Sequence, residues 1–300
     1  MTVHYHKPVL LQSSLEGLNI QPDGIYVDVT FGGGGHSRAL LKYLGSEGRL
    51  LAFDQDPDAL DNNIQDSRFQ LVAANFNHLG QYLKFYKVQT VDGILADFGV
   101  SSHQFDTSSR GFSIRSEGRL DMRMNPQQQL DAYCVVNNYS ESELTRIFSD
   151  YGELRNAKNL ARTICNIRIE QPLTTTQDLK AAVHTLVPQR IENKIYAQLF
   201  QALRIEVNNE LEVLKSFLLQ AQDILKPGGR LVCISYHSLE DRLVKRFFQT
   251  GNFEGKLEKD FFGNPLRKLN PVGKLLIPSE EEIKENNRSR SAKMRIAEKL

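Results

Sequence analysis

The sequence predicts an α/β fold: an open, mostly parallel sheet of Rossmann-like type with a helical segment inserted into it. Three observations predict this. Ile25-Tyr26-Val27-Asp28-Val29-Thr30 reads as a buried strand, Gly32-Gly33-Gly34-Gly35 follows, and Ser37-Arg38-Ala39-Leu40-Leu41 begins a helical pattern. Together they form the first βα turn of a nucleotide-binding sheet. Apolar runs ending in an acid recur at Arg49–Asp54 and Val91–Asp97. From residue 109 to 200 the strand–helix alternation gives way to helical periodicity, and it resumes afterwards, so the expected division is 1–108, 109–200 and 201–300.

In chain order, His6-Lys7-Pro8-Val9-Leu10-Leu11 leads into a short helix ending near Leu18, and Gln21-Pro22-Asp23-Gly24 carries turn chemistry. The helix after the glycines is expected to reach Leu44 and stop at Gly45. Arg49–Phe53, Phe69–Val72 and Val91–Ala96 read as the second to fourth strands. Ser140-Glu141-Ser142-Glu143 and Thr175-Thr176-Gln177-Asp178 are helix caps. Leu154, Ala157, Ala161, Ile164 and Ile167 line one face of a helix from Glu153 to about Glu170. A long helical stretch ends near Leu225, and Lys226-Pro227-Gly228-Gly229 reads as a turn. Arg230–Ser235 is the fifth strand, Arg242–Phe248 a helix, 253–274 an irregular loop and 291–297 a last strand.

A formal charge of +1 gives no overall pull toward polyanions, so any such binding must come from local patches. Cys134, Cys165 and Cys233 lack metal-ligand spacing and read as reduced thiols; no metal is expected. The first residues lack a basic segment followed by an apolar one, and no apolar run approaches membrane-spanning length. A soluble cytoplasmic protein is expected.

The glycine turn fails the dinucleotide fingerprint, since the last position is Ser37 or Arg38, and no Gly-Lys-Ser/Thr follows for a phosphate loop. A nucleoside ligand without pyrophosphate fits better, and S-adenosylmethionine (SAM) is the common one. Asp54, first after the second strand, is placed to accept from both ribose hydroxyls. Phe76 could cover an adenine and Asn75 bond its edge, or Phe76 could be a core aromatic. Asp97 stands at the fourth strand's tip, before the small, polar loop Phe98–Gln104. Arg155, Lys158 and Arg162 form a basic stripe, and Arg288, Arg290, Lys293 and Arg295 cluster near the end without an intervening acid.

Several stretches together resemble the MraW/RsmH family of SAM-dependent methyltransferases, which modify the exocyclic N4 amine of a cytidine in small-subunit (16S) ribosomal RNA. The most specific are Thr30-Phe31-Gly32-Gly33-Gly34-Gly35-His36-Ser37, Asp97-Phe98-Gly99-Val100-Ser101-Ser102, Arg110-Gly111-Phe112-Ser113, Leu120-Asp121-Met122-Arg123-Met124, Phe200–Asn208 and His237-Ser238-Leu239-Glu240-Asp241-Arg242. The resemblance implies a class I methyltransferase core with a helical insertion for substrate recognition, and an association with the small ribosomal subunit and with a second copy of the chain. It also implies cofactor contacts from Gly34, Gly35, His36, Asp54, Phe76, Asp97 and Gln104.

A cytosine N4 amine is a poor nucleophile because its lone pair is delocalised into the ring. It must be presented in line with the sulfonium methyl, and its hydrogens must be accepted. Asp97, or neighbouring backbone carbonyls, is the first expectation for that task, with Ser101 and Ser102 close behind on the substrate side. His237 is the second, as proton acceptor or as a cap for the following helix. Arg110, Arg123 and Arg242 are expected at phosphate or base. Two alternatives stay open: a methyltransferase of DNA amino groups or protein, and a non-catalytic module that holds SAM and RNA.

Overall fold

Within the residues that the computed structural model describes, 8–300, the first element is helix α1, Leu11–Leu18. His6 and Lys7 of the lead-in lie outside the described residues. Strand β1, Ile25–Asp28, and helix α2, Gly35–Leu41, flank the glycine turn. The helix stops short of Leu44 because Tyr43 N–H donates to the carbonyl three residues back, Leu40, in a tightened last turn ahead of Gly45. Strands β2, Arg49–Asp54, and β3, Phe69–Ala73, follow, then α3, Leu79–Phe85, and β4, Val91–Asp97.

The chain then forms a separate unit, Val100–Glu210. It holds α4, Ser102–Asp106; α5, Ala132–Asn138; α6, Glu141–Asp150; α7, Ala157–Glu170; α8, Thr176–Val183; and α9, Glu192–Asn208. Its own core contains Leu120, Val135, Leu144, Phe148, Leu160, Leu179 and Leu203, all fully buried. Ser140 and Thr175 each make a complete capping box. Helix α7 starts at Ala157 rather than Glu153, because Glu153 takes a left-handed φ of 50°. The expected limits of 109 and 200 are also moved. A cut at 200 would divide α9, which continues until Asn209 turns left-handed at φ 51°.

The first unit resumes at Leu211. Helix α10, Glu210–Ile224, leads into β5, Leu225–Ser235, and α11, Ser238–Thr250. The expected turn Lys226–Gly229 is a bulge within β5: pairing with β4 jumps from Val91↔Leu225 to Gly93↔Arg230. Strand β6, Leu269–Leu276, replaces part of the expected irregular loop. Helix α12, Glu280–Glu285, and β7, Lys293–Lys299, complete the unit. Pro271 and Gly273 disguised β6, but it is an edge strand, where a missing N–H is tolerated.

The sheet order is β3-β2-β1-β4-β5-β7-β6. Strands β1 to β5 run parallel and β7 runs antiparallel to both neighbours. Side chains alternate between two cores, as the pleat requires. Val27, Leu51, Phe53 and Ile94 pack with Leu83 of α3, Phe217 of α10 and Phe247 of α11. Tyr26, Leu50, Ala52 and Leu95 pack with Leu18 of α1 and Leu40 of α2 on the other side. Because β1, β2, β4 and β5 are parallel, their carboxyl ends share one edge. Among the described residues, no helix is long and apolar enough to cross a membrane.

Candidate functional site

The order β2-β1-β4 sets three aspartates side by side at that edge: Asp54, Asp28 and Asp97. Asp28 is buried and its contacts are internal. Its Oδ1 accepts from Thr30 N–H at 3.1 Å and its Oδ2 from the Ser37 hydroxyl at 2.7 Å, tying the strand end to the first turn of α2. Burial pushes its carboxyl above the ordinary aspartate range, opposed by the neighbouring His36 and by the Ser37 hydrogen bond. In the sequence Asp28 interrupts an otherwise apolar or β-branched strand, and that break is the available signal for it.

The glycine turn has two left-handed residues, Gly32 at φ 50° and Gly34 at φ 74°. A Cβ on Gly34 would lie 2.8 Å from the Phe31 ring, and one on Gly35 would lie 2.3 Å from Pro8. Gly35 is therefore needed where the lead-in packs onto the start of α2. His36 is buried, with Nε2 3.1 Å from the Val9 carbonyl and Nδ1 3.9 Å from Asp97 Oδ2. It joins the lead-in to the tip of β4.

Asp54 faces the turn. Its Oδ2 accepts from Gly32 N–H at 2.7 Å and its Oδ1 from Asp56 N–H at 2.9 Å. Burial pushes its carboxyl up to about 6, against those two hydrogen bonds. Asn62 Nδ2 donates to the Gly32 carbonyl at 3.1 Å and Arg38 donates to the Asn62 carbonyl at 2.9 Å, holding the turn from behind. Past β3, Asn75 accepts from Asn77 N–H and donates to Gln55 Oε1, both at 2.8 Å. Phe76 is half-buried against Phe217, with ring centroids 5.3 Å apart, and Phe98, 6.3 Å apart. It is part of the core and keeps an exposed side.

Asp97 is tied to both neighbouring strand ends. Its N–H donates to Thr30 Oγ1 at 2.7 Å, and its Oδ1 accepts from the Tyr236 hydroxyl at 2.8 Å. Burial pushes its carboxyl up to about 6; His36 and the Tyr236 hydrogen bond oppose this, while Asp28 and Glu240 add to it. Tyr236 is itself pushed well up, by burial and then by Asp97. Thr30 and Tyr236 were missed as site residues, because only the pairing of β4 with β5 brings Tyr236 to Asp97.

A family model described as the MraW methylase family matches residues 3–300. The chain belongs to that family. A protein of Flavobacterium johnsoniae named ribosomal RNA small subunit methyltransferase H is 57% identical over 299 residues, which cover 100% of this chain and 99% of that protein. A protein of Christiangramia forsetii with the same name is 57% identical over 298 residues, covering 99% of each. One from Bacteroides thetaiotaomicron, again so named, is 54% identical over 298 residues, covering 98% of this chain and 97% of that protein.

The residues expected on the substrate side fall in both units. His237 is the N-cap of α11: its Nδ1 accepts from Glu240 N–H at 3.5 Å. Its Nε2 lies 3.1 Å from Glu240 Oε1 but out of line for a hydrogen bond. Buried Glu240 accepts from Tyr236 N–H at 2.9 Å, so the cap also fixes Tyr236. Arg242 is exposed on α11.

In the Val100–Glu210 unit, Ser101 and Gln104 make a reciprocal capping box on α4, where Ser102 is the first residue. Arg110 donates to the carbonyls of Arg123 and Met124 at 3.0 and 3.1 Å. Arg123 grips both oxygens of Asp121, at 2.9 and 2.6 Å, and donates to the Gln128 carbonyl. The expectation of phosphate contacts therefore meets two guanidinium groups already engaged in their own loop.

Arg155 and Lys158 are exposed, and Arg162 lies 3.5 Å from Glu141. The basic cluster near the chain end is less free of acid than its sequence implies: Asp241 of α11 takes Arg295 at 2.7 Å and Lys293 at 3.6 Å.

Proposed function

We propose that this chain transfers a methyl group from SAM to the exocyclic N4 amine of a cytidine in the 16S ribosomal RNA of the small subunit, in the cytoplasm. The observation that carries the reading is the trio of aspartates at the tips of β2, β1 and β4 beside the glycine turn, in a member of a methylase family. The names of the relatives support the substrate.

The donor set fits SAM. A carboxylate oxygen accepts two hydrogen bonds; each oxygen of Asp54 already accepts one, so two positions remain for the two hydroxyls of a ribose. Gly34, Gly35 and His36 border the turn, Phe76 offers a ring edge for an adenine, and Gln104 is assigned to the same ligand from the family pattern. SAM supplies a methyl group on a positively charged sulfur.

Asp97 accepts the hydrogens of the amine. A carboxyl near 6 is largely ionised at neutral pH yet basic enough to take the proton released as the N–C bond forms. Tyr236 holds one of its oxygens, and the other, 3.9 Å from His36 Nδ1, is left for the amine. We assign the proton to Asp97 rather than to His237, whose ring is occupied as a cap. Ser101 and Ser102 are assigned to the acceptor side and Arg242 to phosphate. Arg110 and Arg123 shape the loop that carries them.

Mass mapping of modified nucleotides in ribosomal RNA tests the proposal. Cells lacking the protein should lose one N4-methyl mark on a small-subunit cytidine and regain it with the intact gene. An unchanged map would refute the substrate.

A further inference from the structure

A cavity of about 270 Å³ opens at the tip of β5, where β7 begins. Its walls are Ile277, Pro278 and Ile283 on one side, Tyr236, His237 and Ser238 on another, and Arg290 and Lys293 at the rim. We propose that it seats a nucleotide of the RNA strand next to the one that is methylated, with the base against the apolar wall and a phosphate on Arg290. The inference rests on the RNA reading above and deepens it.

Three features point to such an occupant. Tyr236 is shared: its hydroxyl is bonded to Asp97 and the residue lines the cavity. A nucleotide seated there is one side chain away from the proposed acceptor site, as a neighbour along a strand would be. His237 lines the cavity as a fixed wall: its Nδ1 accepts from Glu240 N–H, and its Nε2 lies 3.1 Å from Glu240 Oε1, so the ring is held in place for a base to pack against.

The charge is also suitable. Arg290 is exposed, Lys293 is half held by Asp241 at 3.6 Å, and the first turn of the thirteen-residue α11 begins at Ser238. The nearby carboxylates have other tasks. Asp241 pairs with Arg295, Glu282 accepts from Leu10 N–H at 2.7 Å, and Glu240 accepts from Tyr236 N–H. The volume lies just below the ~300–1,000 Å³ usual for drug-sized ligands, in keeping with a single nucleoside.

The test measures methyl transfer to small subunits as a function of salt, with Arg290→Glu and Ile283→Trp. Arg290 is exposed, so its variant should fold; Ile283→Trp fills the cavity. Both should raise KM for the subunit at least tenfold and leave SAM affinity unchanged. Arg290→Glu should also flatten the dependence of log KM on log salt by about one phosphate contact, which a structural role would not do. Unchanged KM and salt slope in Arg290→Glu would overturn the proposal. So would inhibition by cytidine monophosphate that Ile283→Trp abolishes without altering KM for the subunit, since the cavity would then hold free nucleotide only. Wild-type transfer in the same assay reads the RNA assignment separately.

Discussion

The aspartates at the strand tips and those of the loop between Arg110 and Asp131 are the same residue type in opposite states. In the loop, burial disfavours the Asp121 carboxylate, but Arg123 and a backbone N–H outweigh it and hold the carboxyl below its usual range. Arg119 pairs with Asp131 at 3.0 Å nearby. At the strand tips, Asp54 and Asp97 are half-buried with hydrogen bonds but no guanidinium, and both rise to about 6. Charges placed to stabilise the chain come with partners. Raised carboxyls beside a glycine turn are candidates for contact with a ligand, whereas Asp28, raised in the same way, has its oxygens bonded within the chain.

The largest effect should come from Asp97→Asn, which removes the proton acceptor with little change of shape. Methyl transfer should fall by about 10³-fold, the scale on which an acceptor or oxyanion contact acts. The same variant should be more stable at neutral pH. A carboxyl raised in the folded state contributes stability that is complete below the unfolded pKa and lost as pH rises through about 6. At pH 7 that loss is at most about 3 kcal/mol, so Tm should rise by a few degrees. By pH 4 the difference from wild type should vanish. A lower Tm at pH 7 would erase the contrast between the two regions.

Arg123→Ala probes the other side. It leaves Asp121 without its guanidinium and should cost about 2 kcal/mol in a denaturant titration, with SAM affinity unaltered. Asp121 has the reverse pH sign: its contribution is present above the unfolded value and lost as pH falls through the lowered one. A smaller effect is the pH dependence of SAM binding. Affinity should fall about tenfold from pH 7 to pH 5, as a carboxyl near 6 must be ionised to accept from a ribose. Calorimetry at both pH values checks it, and a flat profile would remove Asp54 from the ligand. Smallest is the cap. His237→Ala should destabilise by about 1 kcal/mol, and His237→Asn, which can still cap α11, by less.

The sequence reading located what is local. The glycine turn, the acids ending β2 and β4, and the caps at Ser140 and Thr175 depend on neighbours a few residues away. What it missed depends on strands far apart in sequence. Tyr236 reaches Asp97 only because β5 pairs with β4, and Asp241 neutralises Arg295 only because β7 returns beside β5. The engagement of Arg110 with the carbonyls of Arg123 and Met124 is not announced by composition, whereas Asp121, the partner of Arg123, lies two residues away in the sequence. Strand β6 was hidden by Pro271 and Gly273, residues that an edge strand tolerates and an interior strand does not.

We propose that the tips of β1, β2 and β4 hold SAM. Calorimetric titration of SAM into wild type, Asp54→Ala and Arg123→Ala measures it most directly. The account predicts one site in wild type, binding weakened at least a hundredfold in Asp54→Ala, and wild-type affinity in Arg123→Ala. Undiminished binding in Asp54→Ala, or loss confined to Arg123→Ala, would contradict it.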